Sequence, residues 1–165
     1  ITTPSITSQL IETYNKFQVP VLTGIKPTNP EGRNLYAFAE VEQIDNDTFN
    51  LLKLHEKPQD RYPNLNIAVV SGYILDNDIF DSLTKISKSL KPGEELKLTD
   101  AINDMLLQKK KIVIRLVTGG EYFDIGNKTD YVKSIIAASL KRPDMKDIIS
   151  SYITKQLNIP NNQLP

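Results

Sequence analysis

The sequence predicts an α/β protein, a mixed β-sheet flanked by helices. Two observations carry this. Apolar or alternating runs at residues 19–25, 35–44, 49–55, 67–75 and 111–117 read as strands. Stretches with helical apolar spacing separate several of them, and strands alternating with helices pack as layers around one core. At 165 residues, 39% hydrophobic and 24% charged, the chain can build such a core.

Taken in order, the first helix has Ser5 or Thr7 as its cap and Ile6, Leu10, Ile11, Tyr14 and Phe17 as its apolar stripe, and it ends before Val19-Pro20. Residues 19–25 form a short strand. The segment Lys26-Pro27-Thr28-Asn29-Pro30-Glu31-Gly32 is dense in turn formers and reads as a loop. Residues 35–44 and 49–55, broken by Asn46-Asp47, make an antiparallel hairpin. The near-continuous apolar run 67–75 has the pattern of a strand covered on both faces. Asp76 or Asn77 caps a helix carrying Ile79, Phe80 and Leu83, and Thr99 or Asp100 starts another that runs through Leu107. After a strand at 111–117 and the Gly119-Gly120 turn, Tyr122-Phe123 is a short extended piece. Helices then run over about 128–140 and 145–157. The expected division is one domain over 1–158 and a tail over 159–165.

Bulk composition excludes several function classes. Lys and Arg number 20 against 20 Asp and Glu, so no net field draws a polyanion, and no nucleic acid partner is expected. Apolar runs fall short of the roughly 20 residues a spanning helix needs, so no membrane partner is expected either. Without Cys there are no disulfides, thiolate nucleophiles or Cys-based zinc sites, which suits a cytoplasmic protein. The lone His55 rules out a histidine cluster for metal. The chain begins at Ile1 and enters a helix at once, which raises the expectation of a fragment.

Four segments fall in loops or at strand ends, where α/β sheets place ligands. His55-Glu56-Lys57-Pro58 leaves a strand that Pro58 ends, having no N–H to donate. A carboxylate there can accept from sugar hydroxyls and an ammonium can neutralise a phosphate; the plain alternative is a solvated strand end. Asn66 at the entrance of the 67–75 run can hold a polar ligand group, although core packing explains that run equally well. Gly93 to Ile102 contains Thr99-Asp100, for which a capping role is the simpler reading. Tyr122-Phe123-Asp124-Ile125-Gly126-Asn127-Lys128 sends a carboxylate off a strand just before a helix. Such a carboxylate can bind Mg²⁺ shared with phosphate oxygens, and an ordinary Asp-x-Gly turn is the alternative.

Together and in this order, Glu56-Lys57-Pro58, Asn66 with the apolar run, Glu95-Leu96-Lys97-Leu98-Thr99-Asp100-Ala101-Ile102 and Asp124-Ile125-Gly126-Asn127-Lys128-Thr129-Asp130-Tyr131 resemble the bacterial UTP–glucose-1-phosphate uridylyltransferase family. The similarity runs from about Ser5 to Met145. It implies a Rossmann-like nucleotidyltransferase fold, of which this chain is the C-terminal, sugar-binding part. It also implies a reaction in which UTP and glucose 1-phosphate give UDP-glucose and pyrophosphate. Carried over by motif, Glu56 hydrogen-bonds glucose hydroxyls, Lys57 contacts the sugar phosphate as the catalytic cation, and Asp124 supplies one ligand to Mg²⁺. These three are expected to converge on one cleft.

Two departures bear on the substrate. Tyr36 is followed by Ala37 where the family has glycine, so a methyl group narrows the substrate-binding pocket, and Ser71-Gly72-Tyr73 stands where Gly-Arg-Tyr is typical. The glycine-rich Gly-x-Gly-Thr-Arg loop and the Leu-x-Asp-Asp segment of the family have no counterpart in these residues. The chain alone is therefore expected to be inactive. Family members self-associate, so a homo-oligomer is a further expectation. A non-catalytic sugar or nucleotide-sugar binding module, and a nucleotidyltransferase of different base specificity, remain the alternative readings.

Overall fold

The computed structural model describes residues 2–27 and 32–157. Helix α1 (Ile6–Phe17) starts where the Ser5 hydroxyl accepts the Ser8 N–H at 3.1 Å, and it stops at Gln18, whose left-handed backbone returns its N–H to the Tyr14 carbonyl. Its buried residues are Gln9, Leu10 and Thr13. Ile11, assigned to the buried stripe from its spacing, is 47% exposed. A polar residue takes the inner face because it is fully bonded there: the Gln9 amide donates to the Pro4 and Thr118 carbonyls and accepts the Thr118 N–H.

Among the described residues five strands follow: β1 (Val21–Ile25), β2 (Ala37–Gln43), β3 (Thr48–His55), β4 (Ile67–Ile74) and β5 (Val113–Leu116). They run in the order β1-β4-β2-β3-β5, with the ladder closing back from β5 to β1. Among these described strands the β1–β5 pairing alone is parallel, so the sheet is mixed as expected. The β2–β3 hairpin is present, with Phe38 opposite His55 and Gln43 opposite Phe49. β1 lies between β4 and β5, and Val21 to Gly24 are buried. Gly24 has no room for a side chain, since an added Cβ would sit 2.5 Å from Ile114 Cγ2 and 3.1 Å from Ile67 Cγ2. β4 is covered only in part. Ile67 to Val70 are buried, but Ser71 and Gly72, which form the bulge opposite Leu22 and Thr23, and the following Tyr73 are exposed. The expectation of a strand covered along its whole length is corrected to its first half.

The segment read as a loop into a strand at 35 contains instead a short helix, α2 (Gly32–Leu35), and its residues 28–31 lie outside the described part. Helices α3 (Asp78–Ser87) and α4 (Leu98–Leu107) pack on each other, and α4 packs on β3. Ile79, Ala101, Ile102 and Met105 thereby join Leu22, Leu51, Leu54, Ile67 and Ile114 in one apolar core. Asn77 stands at the start of α3 without a side-chain cap bond. Thr99 and Asp100 lie inside α4, which begins after the extended Lys97, so the capping role expected of them is corrected. Between α3 and α4 the nearly buried Asp104 carboxylate accepts from Lys85 at 2.5 Å and Gln108 at 2.6 Å. The Lys85 hydrogen bond is the main cause that holds this carboxyl below its ordinary range.

By its internal contacts the chain forms two compact units, Thr2–Gly120 and the part from Glu121 onward, where the sequence reading draws one domain over 1–158. In the second unit Tyr122-Phe123 joins no strand ladder, so the extended piece expected there is not a sheet element. Asn127 caps α5 (Lys128–Lys141) by accepting the Thr129 and Asp130 N–H groups, and α6 (Lys146–Leu157) packs on α5. The tail assigned to 159–165 lies outside the described residues. Among the described residues no helix is long and apolar enough to cross a membrane.

An ion pair fixes the hairpin turn to α1: Lys16 Nζ lies 2.9 Å from Asp45 Oδ2. The Lys16 hydrogen bond is the largest cause that lowers the Asp45 carboxyl to about 2, with Thr48 and the Asp47 N–H adding to it. The folded value lies below the ordinary 3.8, so this contribution is complete above about pH 4 and is lost as the pH falls toward 2. Both side chains are more than a third exposed, and the effect is under about 1 kcal/mol. Asp45→Asn should be less stable than the parent in denaturant unfolding at pH 7, with the gap closing near pH 2. A gap unchanged at pH 2 would contradict this origin.

Candidate active site

The candidate site grows from the way β3 ends. β5 is short and on β3 pairs with Thr48, Phe49 and Asn50, after which the Leu51 N–H still reaches the Ile112 carbonyl. Beyond that point β3 has no strand partner on this side among the described residues. The Asn103 side chain of α4 takes the place of one: its Oδ1 accepts the Leu54 N–H at 2.9 Å and its Nδ2 donates to the Leu54 carbonyl at 2.9 Å. A carboxamide presents the same donor and acceptor pair as a peptide, so it extends the ladder by one residue.

The next residues are then fixed one by one. His55 is 9% exposed; its Nε2 lies 3.2 Å from Glu40 Oε2 and its ring rests against Tyr62, with centroids 4.1 Å apart. Glu56 is exposed, and its Oε2 accepts the Thr99 hydroxyl at 2.7 Å. Thr99 lies in the first turn of α4, where a carboxylate also meets the positive end of the helix dipole. Lys57 is exposed and adopts a left-handed backbone, φ 41°, a conformation that costs a non-glycine residue about 1 kcal/mol or more. Pro58 is buried behind it. The strand end is therefore a corner that exposes a carboxylate and an ammonium at adjacent positions.

Ala37 starts β2, half-buried, opposite Val69 of β4 and one residue before the Phe38–His55 pair, which sets it at the level of Glu56. Asn66 is exposed and precedes β4 by one residue. Since Val69 is the partner of Ala37, Asn66 stands three residues, or about 10 Å, along the strand from that level. The register thus groups Ala37 with Glu56 and Lys57 and sets Asn66 apart from them. Thr99, which the sequence reading placed in a candidate segment but took for a helix cap, and Asn103, which it did not assign, complete the corner. What links the two is a four-residue spacing on α4, which acquires meaning once β3 is known to pack against that helix.

Asp124 belongs to the second unit. Its Oδ1 accepts the Gly126 N–H at 3.0 Å and its carbonyl accepts the Asn127 N–H at 3.0 Å, so the Asp-x-Gly turn is formed just before the Asn127 cap. Among the described residues no group of three or more His, Cys, Asp or Glu side chains could hold a metal ion. One carboxylate is still within the usual protein share of a Mg²⁺ shell, which takes one or two together with water and phosphate oxygens.

A mixed sheet with helices packed against it, carrying an acidic and a basic side chain at adjacent positions of a strand end, defines an α/β protein. The chain belongs to the nucleotidyl transferase family, whose sequence profile matches residues 7–139. It is 32% identical over 156 residues to a UTP–glucose-1-phosphate uridylyltransferase of Staphylococcus saprophyticus, covering 94% of this chain and 52% of that protein. To a uridylyltransferase of the same description from Bacillus subtilis it is 30% identical over 151 residues, covering 92% of this chain and 49% of that one. A crystal structure of apo UDP-glucose pyrophosphorylase superposes with a TM-score of 0.75 at 27% identity, covering 86% of this chain and 51% of that one. A UDP-glucose pyrophosphorylase complexed with UDP-glucose gives 0.73 at 27% identity, covering 84% and 51%. The chain therefore spans about half the length of the relatives it matches.

The left-handed Lys57 gives a direct test of whether this corner is shaped for something other than stability. Glycine adopts that backbone without a Cβ clash, so Lys57→Gly should leave the free chain as stable as the parent or more stable by up to about 1 kcal/mol in urea unfolding. A loss of stability would mean that the lysine side chain holds the corner together.

Proposed function

We propose that this chain supplies the sugar-phosphate-binding part of a uridylyltransferase that converts UTP and glucose 1-phosphate to UDP-glucose and pyrophosphate. The observation that carries the reading is the corner at the end of β3, where Thr99 holds the Glu56 carboxylate and the backbone turns Lys57 outward beside it. Relatives named for this reaction support the substrate assignment.

In the reaction a phosphate oxygen of glucose 1-phosphate attacks the α-phosphorus of UTP and pyrophosphate leaves. Two anions must meet, so catalysis is mostly positioning and charge neutralisation. Glu56, an acceptor only when ionised, takes hydrogen bonds from sugar hydroxyls and sets the orientation of the hexose. Lys57 places its ammonium on the sugar phosphate, which lowers the repulsion that the attacking oxygen meets. Ala37, at the same level of the sheet, narrows the wall against which the ligand rests. Asp124 offers one oxygen ligand to Mg²⁺, which when bound neutralises charge on the phosphates. Such a reaction draws on UTP and suits a cytoplasmic setting.

Calorimetric titration tests this reading. The chain should bind glucose 1-phosphate, and Lys57→Gly should weaken that binding by about tenfold or more, as expected when a charge contact to a desolvated phosphate is removed. The chain alone, mixed with UTP and glucose 1-phosphate, should form no UDP-glucose. Failure to bind the sugar phosphate, or an affinity indifferent to Lys57, would overturn the assignment; UDP-glucose formation would overturn the claim that these residues are insufficient for transfer.

A further inference from the structure

We propose that Thr99 is a positioning residue whose hydroxyl fixes the Glu56 carboxylate for the hexose, with Asn103 setting the register of the helix that carries it. This rests on the reading above that Glu56 binds sugar hydroxyls. The geometric basis is a match of two repeats. Thr99 and Asn103 are four residues apart on one face of α4, a rise of about 6 Å, and Glu56 and Leu54 are two residues apart along β3 and its end, a rise of about 6.6 Å. Asn103 grips both polar groups of the Leu54 peptide at 2.9 Å, and one helical turn earlier Thr99 reaches Glu56 Oε2 at 2.7 Å. The helix is held in turn by Ala101, Ile102 and Met105, which are buried in the core.

An exposed carboxylate on a strand end otherwise samples several rotamers, and ordering it on binding weakens affinity. A threonine is suited to prevent this, because its branched Cβ leaves few χ1 choices and its hydroxyl donates to the carboxylate. With Oε2 engaged by Thr99, Glu56 meets its ligand in one orientation. A surface hydrogen bond with no part in binding would not depend on what Glu56 does.

The test is a double-mutant cycle read by calorimetry with glucose 1-phosphate, using the whole chain, with thermal unfolding run on each variant. Thr99→Val should weaken binding about fivefold, the equivalent of one hydrogen bond, and Thr99→Ser should restore most of it. Thr99→Ala serves in place of valine should that variant not fold. In a Glu56→Ala background the Thr99→Val change should have no further effect, and affinity for inorganic phosphate should be unaltered by either Thr99 variant. Parent-like affinity in Thr99→Val, or equal losses with and without Glu56, would overturn the positioning role. Should Glu56→Ala bind as the parent does, or the parent bind no glucose 1-phosphate, the underlying reading of Glu56 fails instead.

Discussion

The Asn103 amide bonded to the Leu54 peptide is the contact on which the candidate site depends. β5 ends before β3 does, so without that amide the last turn of β3 would present an unpaired N–H and carbonyl beside the core. With it, the ladder continues one residue further and α4 is locked in register along the strand. The buried side chains of α4 give the helix its place in the core, and the polar pair Thr99 and Asn103 converts that place into the orientation of Glu56. The corner is thus produced by packing first and hydrogen bonding second, and the chemistry of its two charged side chains comes last.

Much of this was legible along the chain, and the reasons divide by length scale. The β2–β3 hairpin, β1, α1 and α5 follow from local rules: alternation, a serine or asparagine accepting first-turn N–H groups, and prolines that end ladders. The misreadings arise where a distant segment decides. Ile11 has the spacing of a core residue but is exposed, because Gln9 finds three backbone partners and holds the inner face. The apolar run of β4 is covered over only half its length, since the register slips at Leu22 and Thr23 and the strand then runs free of β2. Thr99-Asp100 has the composition of a cap, yet Thr99 bonds a glutamate 43 positions away along the chain. No periodicity carries that information.

The site residues show the same division. Glu56 and Lys57 could be proposed from their place at a strand end, and Ala37 joins them because the hairpin register puts β2 beside that end. Asn66, proposed from its place before a strand, lies further along the sheet, which only the β2–β4 pairing reveals. Asp124 adopts the local turn that its Asp-x-Gly sequence permits, and its proposed part in metal binding rests on that turn and on the family. The left-handed backbone of Lys57 was not legible at all, because nothing about lysine favours it. It lies between the buried Pro58 and, two residues earlier, His55 with its contact to Glu40, and strain of this kind persists where the surroundings over-determine it.

The location of ligand binding on this chain tests the account most directly. Amide chemical-shift mapping by NMR during titration with glucose 1-phosphate should move the signals of Leu54 through Lys57 together with those of Thr99 and Asn103, because the strand end and the first turns of α4 form one hydrogen-bonded body. Saturating shifts confined to other parts of the sheet, with the β3 corner and α4 unmoved, would contradict it.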